Sequence, residues 1–322
     1  MKKSQKNCAV CKEKGGKKEF PLVSSGCTEQ ELSVSEDPCR IVCDRKVRQA
    51  HFFMHQDHSH EFYELYYLVS GGCRVFLNHT IYHLDAGGIV LIEPGALHHT
   101  IYEMTQESER IAVCFDRKYM EQFESACGSG WKEKFAKNPY LRVEGRSRAF
   151  LEELFRKLTL EKEHRDGFSD LLRRQGILEI LASLARESQE DRQIRIEDVP
   201  EKAIQTAAQY ICAHFREQIT LEMVAGQVFL SPSYFSRQFK KLTGFGYKEY
   251  LNHVRLKEAS RLLRESDDSI SEIARLCGFT DGNYFGDLFH KIIGVSPREY
   301  RKQYRAQSHL HPDTDLRHDL RQ

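Results

Sequence analysis

A chain of 322 residues, 40% hydrophobic and 30% charged, carries enough apolar side chain for two packed cores, which excludes a wholly disordered protein. Its 48 Lys and Arg are matched by 47 Asp and Glu, so no blanket basic charge drives it onto nucleic acid or an anionic membrane. No apolar run approaches the roughly 20 residues a membrane-spanning helix needs, and no signal peptide is visible, so the expected compartment is the cytoplasm.

Residues 1–20 hold seven lysines and few large apolar groups, and the segment 1–35 reads as a disordered basic arm. In a reducing compartment the ten cysteines are expected as thiols. Cys8-x-x-Cys11, followed by Cys27, Cys39 and Cys43, offers one tight pair for zinc or redox chemistry, with loose spacing beyond it.

Residues 36–118 read as β. Short runs rich in Tyr, Val, Ile and Phe are cut by Gly-Gly and Pro-Gly turns, which predicts a small antiparallel barrel or jelly roll. Within it, H-x-H-x3-E-x6-G runs from His58 through His60 and Glu64 to Gly71, and G-x5-P-G-x-x-H runs from Gly88 to His98. Positions 58, 60 and 64 share parity and so one face of a continuous strand, pointing inward together. With His98 they assemble three imidazoles and a carboxylate, a set that suits a buried polar ligand or a divalent Zn, Fe, Mn or Ni ion. No cofactor is required by the sequence. Both motifs resemble the two cupin motifs; the second has one residue fewer before its histidine, which makes His99 a competing alignment. Tyr66, Tyr82 and Tyr102 are candidates either for the pocket wall or for the core.

Helical periodicity takes over across 119–187. Leu151, Leu154, Phe155 and Leu158 form one i, i+3, i+4, i+7 stripe, and Ile177, Ile180, Leu181 and Leu184 another. These faces pack either on their own barrel or on a second subunit. The polar stretch 188–202 reads as an interdomain linker and 306–322 as a disordered tail.

Between them, residues 219–250 recur in altered form at 268–300. Phe235, Phe239, Gly244 and Tyr250 are answered by Phe285, Phe289, Gly294 and Tyr300. Thr220 and Ser269 stand where N-cap hydroxyls belong, and Ser269 with Glu272 makes an S-x-x-E capping box. Behind them Leu221, Val224, Ala225 and Val228 match Ile270, Ile273, Ala274 and Cys277 as a buried helical stripe. A break follows, then a second helix opened by Ser231-Pro232 and closed by Gly244 or Gly294. Each unit is helix, tight turn, helix, joined by a run over 247–266 that has no glycine or proline. Plain helical hairpins would share the stripes, but not caps, turns and glycines all in register. From Pro200 to Arg305 there are 16 Lys and Arg against 12 Asp and Glu, with 30 against 32 in residues 1–199, so positive charge is concentrated in this part.

The paired units, the A-x-x-x-G-F turn at Ala274–Phe279, the R-L-x-x-A run at Arg255–Ala259 and G-V-S-P-x-E-Y-R at Gly294–Arg301 resemble the AraC/XylS family of bacterial transcription regulators over about a hundred residues. The resemblance implies an α+β organisation: an N-terminal cupin-like β-barrel sensing a small-molecule effector, then helices that often dimerise the protein. An all-α DNA-binding domain at 203–305 with two helix-turn-helix units would follow. It implies promoter DNA and RNA polymerase as partners, with activation the usual outcome. It also puts Ser233, Ser236 and Arg237 toward base edges and Ser231, Lys240 and Lys241 near phosphate, with Arg237 suited to a bidentate guanine contact. The second unit departs from the family, offering Gly282 or Asn283, Gly286 and Asp287 where relatives carry longer polar or basic groups. Asn283 suits adenine. Asp287 suits a cytosine amine or a structural, weakly repulsive role, so unequal half-sites are expected. A metal- or thiol-sensing stress regulator using the same reader is the main alternative. A cupin metalloenzyme fused to a DNA-binding module is the third reading, and nothing in the sequence demands catalysis.

Overall fold

The computed structural model describes residues 39–48, 60–102, 107–164, 166–188 and 199–308. His58, Cys8, Cys11 and Cys27, with the arm 1–35 and most of the expected linker and tail, lie outside the described residues.

Seven strands come first: β1 (Ile41–Arg48), β2 (Tyr63–Ser70), β3 (Gly72–Leu77), β4 (Thr80–Asp85), β5 (Gly88–Ile92), β6 (His98–Tyr102) and β7 (Ser108–Phe115). They build two antiparallel sheets, one ordered β1-β7-β2-β5 and the other β4-β3-β6. Alternation decides what each face touches. On β2, Tyr63, Leu65 and Tyr67 face the helices that follow. Tyr66 and Leu68 face inward, where Cys73, Val75, Leu77, Tyr82, Leu84, Val90, Ile92 and Tyr102 fill the barrel. The pocket candidates Tyr66, Tyr82 and Tyr102 are therefore part of this interior.

The region expected to be wholly helical also contributes a strand. After α1 (Arg117–Cys127) and α2 (Trp131–Lys137), β8 (Tyr140–Arg142) pairs with β5 and extends the larger sheet. Three residues are too few for periodicity to register; edge pairing with β5 makes the strand. α3 (Gly145–His164) and α4 (Ser169–Glu187) then form a hairpin whose two apolar stripes are both buried against the outer face of that sheet. The stripes thus cover their own barrel. Leu160, Phe168, Leu171 and Leu172, near the hairpin turn, remain exposed.

The helical domain comprises α5 (Val199–His214), α6 (Leu221–Gln227), α7 (Pro232–Thr243), α8 (Tyr247–Glu265), α9 (Ile270–Leu276), α10 (Gly282–Ile293) and α11 (Pro297–Ser308). Thr220 Oγ accepts from Met223 N–H and Ser269 Oγ from Glu272 N–H, as capping chemistry requires. The Ser269–Glu272 box is only half formed, because Arg275 takes the Glu272 carboxylate. A reciprocal box forms instead at Ser296 and Glu299, ahead of α11. Gly244 and Gly294 end the second helices in left-handed conformation, at φ +85° and +86°. The R-L-x-x-A run has a structural basis: Arg255 donates to the carbonyls of Phe215 and Glu217, both at 2.8 Å, while Leu256 and Ala259 enter the second core.

The first unit's turn holds Phe229 at φ +56°, where its counterpart Gly278 sits at φ +83°. Phe229 is 96% exposed, so no packing offsets the cost of a left-handed non-glycine residue. Phe229→Gly is expected to stabilise the protein by about 1 kcal/mol. A urea midpoint that falls instead would show that the ring has a partner in solution.

The two domains share a core. Phe76 and Ile81, from the outer face of the small sheet, and Leu97, from the loop before β6, join Ile204 and Ala208 of α5, Phe239 of α7 and Tyr250 of α8 in one apolar cluster. Glu201, 2% exposed, anchors its edge to Arg74 and His83, each at 2.7 Å.

Candidate DNA-reading surface and effector site

α7 and α10 present the same exposure pattern over their first ten positions. In α7 Phe235 and Phe239 are buried, whereas Ser233, Arg237, Lys240 and Lys241 are exposed and Ser236 is half-buried. In α10 Phe285 and Phe289 take the buried places, leaving Asn283 and Asp287 exposed and Gly286 half-buried. The apolar spacing turns one face of each helix inward, so the residues assigned to DNA fall on the other.

The two entrances differ in charge. Ser231 is the N-cap of α7, yet its hydroxyl makes no capping bond, and Pro232 occupies the first turn. At α10 the Asp281 carboxylate caps, accepting from Asn283 N–H at 2.8 Å and Tyr284 N–H at 3.3 Å. A neutral hydroxyl at one helix N-terminus leaves it open to phosphate, whereas a carboxylate at the other satisfies the helix and repels the same anion.

One repeated pair escaped the sequence analysis. Tyr234 and Tyr284 stand at matching positions, 37% and 50% exposed, and Tyr284 Oη is fixed by Asn252 Nδ2 at 3.0 Å. The signal was available: a tyrosine ahead of each buried phenylalanine, fifty residues apart. α8, of 19 residues and about 28 Å long, joins the two units.

In the barrel, His60, Glu64 and His98 come together and are all buried. His60 Nε2 lies 3.0 Å and His98 Nε2 3.7 Å from the same oxygen, Glu64 Oε2. The convergence is the expected one, but its cause is not. The strand begins only at Tyr63, so His60 is not on a continuous strand with Glu64. A bend at Glu61–Phe62 folds His60 back, and its ring stacks on Phe62 with centroids 4.0 Å apart. His98, not His99, faces the cluster; His99 alternates to the other face, opposite Phe76.

A second polar group inside the barrel was also missed. Arg110 shares parity with Ala112 and Cys114 and so points inward, where it meets Asp44 Oδ2 at 2.7 Å and Asp44 O at 2.9 Å. Burial alone would raise the Asp44 carboxyl's pKa, but Arg110 and Lys46 outweigh it and hold the group below its ordinary range. Tyr66 Oη donates to Tyr102 Oη at 2.8 Å nearby. Cys39 and Cys43 are buried thiols, within hydrogen-bond reach of Tyr119 and Thr159. None of the described helices is long and apolar enough to cross a membrane.

A duplicated helix-turn-helix docked on a small β-barrel with a buried polar cluster defines a DNA-binding transcription regulator with a ligand-binding domain. Two family models match: "Helix-turn-helix domain" over residues 224–303 and "AraC-like ligand binding domain" over 45–181. The chain belongs to the AraC/XylS regulators. It is 44% identical to the HTH-type transcriptional regulator YijO of Escherichia coli over 105 residues, 33% of this chain and 37% of that protein. It is 28% identical over 270 residues to the transcriptional activator RhaS of Shigella boydii, covering 81% and 92%. Among solved structures, the DNA-binding domain of AdpA in complex with a target DNA is 32% identical, covers 34% of this chain and 98% of its own, and has a TM-score of 0.33.

Proposed function

We propose that this regulator is an effector-responsive activator, acting in the cytoplasm as a homodimer, whose barrel ligand alters how the first helix-turn-helix meets promoter DNA. One observation carries the reading: barrel and first reader share a continuous apolar cluster, so a shift in the small sheet is felt at Tyr250 and Phe239. His60, Glu64 and His98 are the groups that would hold the effector, with His58 of the same sequence motif. RhaS is a transcriptional activator, and activation requires contact with RNA polymerase. A second copy is the occupant proposed for the exposed Leu160, Phe168, Leu171 and Leu172, on the same hairpin whose other faces already cover the barrel. The barrel is read as a sensor that binds without turnover; its relatives are regulators.

On DNA, Arg237 is proposed to read guanine, Ser233 and Ser236 to contact neighbouring edges, and Ser231, Lys240 and Lys241 to hold phosphate. The second unit contributes less, through Asn283 and Asp287. Selection of bound sequences from a random duplex pool, with and without cell-derived small molecules, is expected to return two unequal elements about one helical turn apart. Arg237→Ala should weaken binding roughly 5- to 150-fold and relax one position, whereas Asp287→Ala should leave discrimination intact. Equal loss of discrimination from both substitutions refutes the unequal reading.

A further inference from the structure

We propose that the cleft between the barrel and the helical domain is a second small-molecule site, separate from the histidine cluster. It takes an apolar zwitterion, a free amino acid or a short peptide, with the ligand's ammonium at Glu93 and its carboxylate at Lys257.

The cleft encloses about 500 Å3, within the range of small-molecule sites. The barrel supplies one wall through the turn between β3 and β4 and the loop between β5 and β6, and α8 supplies the other. α1 and the end of α10 complete it. Leu97, Tyr250, Val254, Ile292 and Ile293 give it an apolar surface.

Most of its charges are already matched. Arg117 is held by Glu61 at 2.6 Å and Lys132 by Glu124 at 3.2 Å, while Arg264 donates to Tyr300 Oη at 2.7 Å. Among the described residues, the side chains of Glu93, Glu121 and Lys257 make no hydrogen bond or ion pair. Glu121 is exposed to water, whereas Glu93 is half-buried. Burial pushes the Glu93 carboxyl's pKa up, and Lys257, outside ion-pair distance, offsets only part of that. A carboxylate that has lost water without gaining a partner favours an arriving cation.

Lys257 is itself exposed, but its charge acts on His79, Glu93 and Cys212, all on the cleft wall. Its ammonium therefore stands over the same space. Two opposite charges face one cavity without meeting, so a molecule carrying both signs matches it. A plain anion would leave Glu93 unpaired and repelled, and a plain cation would do the same to Lys257. One turn before Lys257, His253 packs edge-on against Phe245 with centroids 5.9 Å apart, and burial lowers its pKa. The ring is neutral near pH 7, with one nitrogen to donate and one to accept, which suits a peptide group. An occupant touches the barrel, α8 and the second helix-turn-helix at once, and so biases how the two readers are held.

The test uses the full chain and calorimetric titration with leucine, leucyl-leucine and trileucine, each compared with its C-terminal amide and its N-acetyl form. Octanoate serves as the apolar anion. The zwitterion is expected to bind at least about tenfold more tightly than either blocked form, and the preferred length separates amino acid from peptide. Glu93→Gln should erase the penalty of acetylation and keep that of amidation, and Lys257→Gln should do the reverse, a pairing that misfolding cannot imitate. Bound zwitterion should change affinity for a pool-selected duplex by at least about fivefold. Tighter binding of octanoate or of the N-acetyl form, penalties unchanged in both variants, or no binding of any probe at millimolar concentration overturns the site. Binding without a change in DNA affinity overturns its effect on the readers. The barrel's effector reading stands or falls apart from this, since neither residue belongs to the His60, Glu64 and His98 cluster.

Discussion

Asp44→Ala is expected to destabilise the barrel by about 3 kcal/mol, because it leaves the Arg110 guanidinium without its carboxylate inside the protein. Arg110 is 2% exposed, and Asp44 provides both a carboxylate and a backbone carbonyl to it. Breaking a buried pair costs about 3–5 kcal/mol. The low end applies here, since the carbonyl bond survives truncation and the Asp44 side chain is 17% exposed. Replacing both partners with apolar groups should recover most of the loss, because the desolvated charge goes too. Acid should imitate the substitution. The folded Asp44 carboxyl lies below its ordinary value, so its contribution is fully present above the unfolded value of about 4 and fades as pH falls through the folded value. Wild type and Asp44→Ala should therefore differ most near neutrality and converge in strong acid, as read by denaturant unfolding at several pH values. A constant gap across that range would dissociate the stability from the ion pair.

Gly278→Ala should destabilise the second helix-turn-helix by about 3 kcal/mol, lowering the helical domain's melting temperature by on the order of 10 °C. Two costs add. The residue holds φ +83°, and a Cβ there would stand 2.7 Å from Phe215 O and 2.8 Å from Arg216 O. Both obstacles are backbone at the end of α5, so neither can swing aside. Gly294 is the internal control: its φ is +86°, but nothing lies within 4 Å of the added carbon. Gly294→Ala should cost only about 1 kcal/mol, the conformational part alone. Equal melting temperatures for the two variants would mean that the close approach of α5 to the second turn does not exist in solution.

These two sites mark how far the sequence could be read. The helix-turn-helix pair was legible because its determinants are local: caps within three residues, apolar stripes within eight and a glycine at each helix end. Repetition then separated signal from chance, since caps, stripes and turns recur in one order. Tyr234 and Tyr284 are equally repeated, but they are exposed and lie off the buried stripes that periodicity reveals. In the barrel, the histidine and glutamate types and rough spacing showed that a polar cluster was possible. The bend that brings His60 to Glu64, however, depends on Phe62 stacking and on Gly95 holding the His60 carbonyl.

By itself the sequence determined the class of the protein, the duplicated helix-turn-helix and the residues by which its second copy departs from the first. Helical period, capping and turn chemistry act over a few residues and leave their mark in the order of the side chains. Tertiary structure alone decided which groups meet across the barrel and between domains. Arg110 reaches Asp44 across 66 positions, Glu201 reaches Arg74 across 127, and Tyr250 reaches Asn78 across 172. Contacts at such separations are selected by packing of the whole sheet and helices, and no local periodicity encodes them.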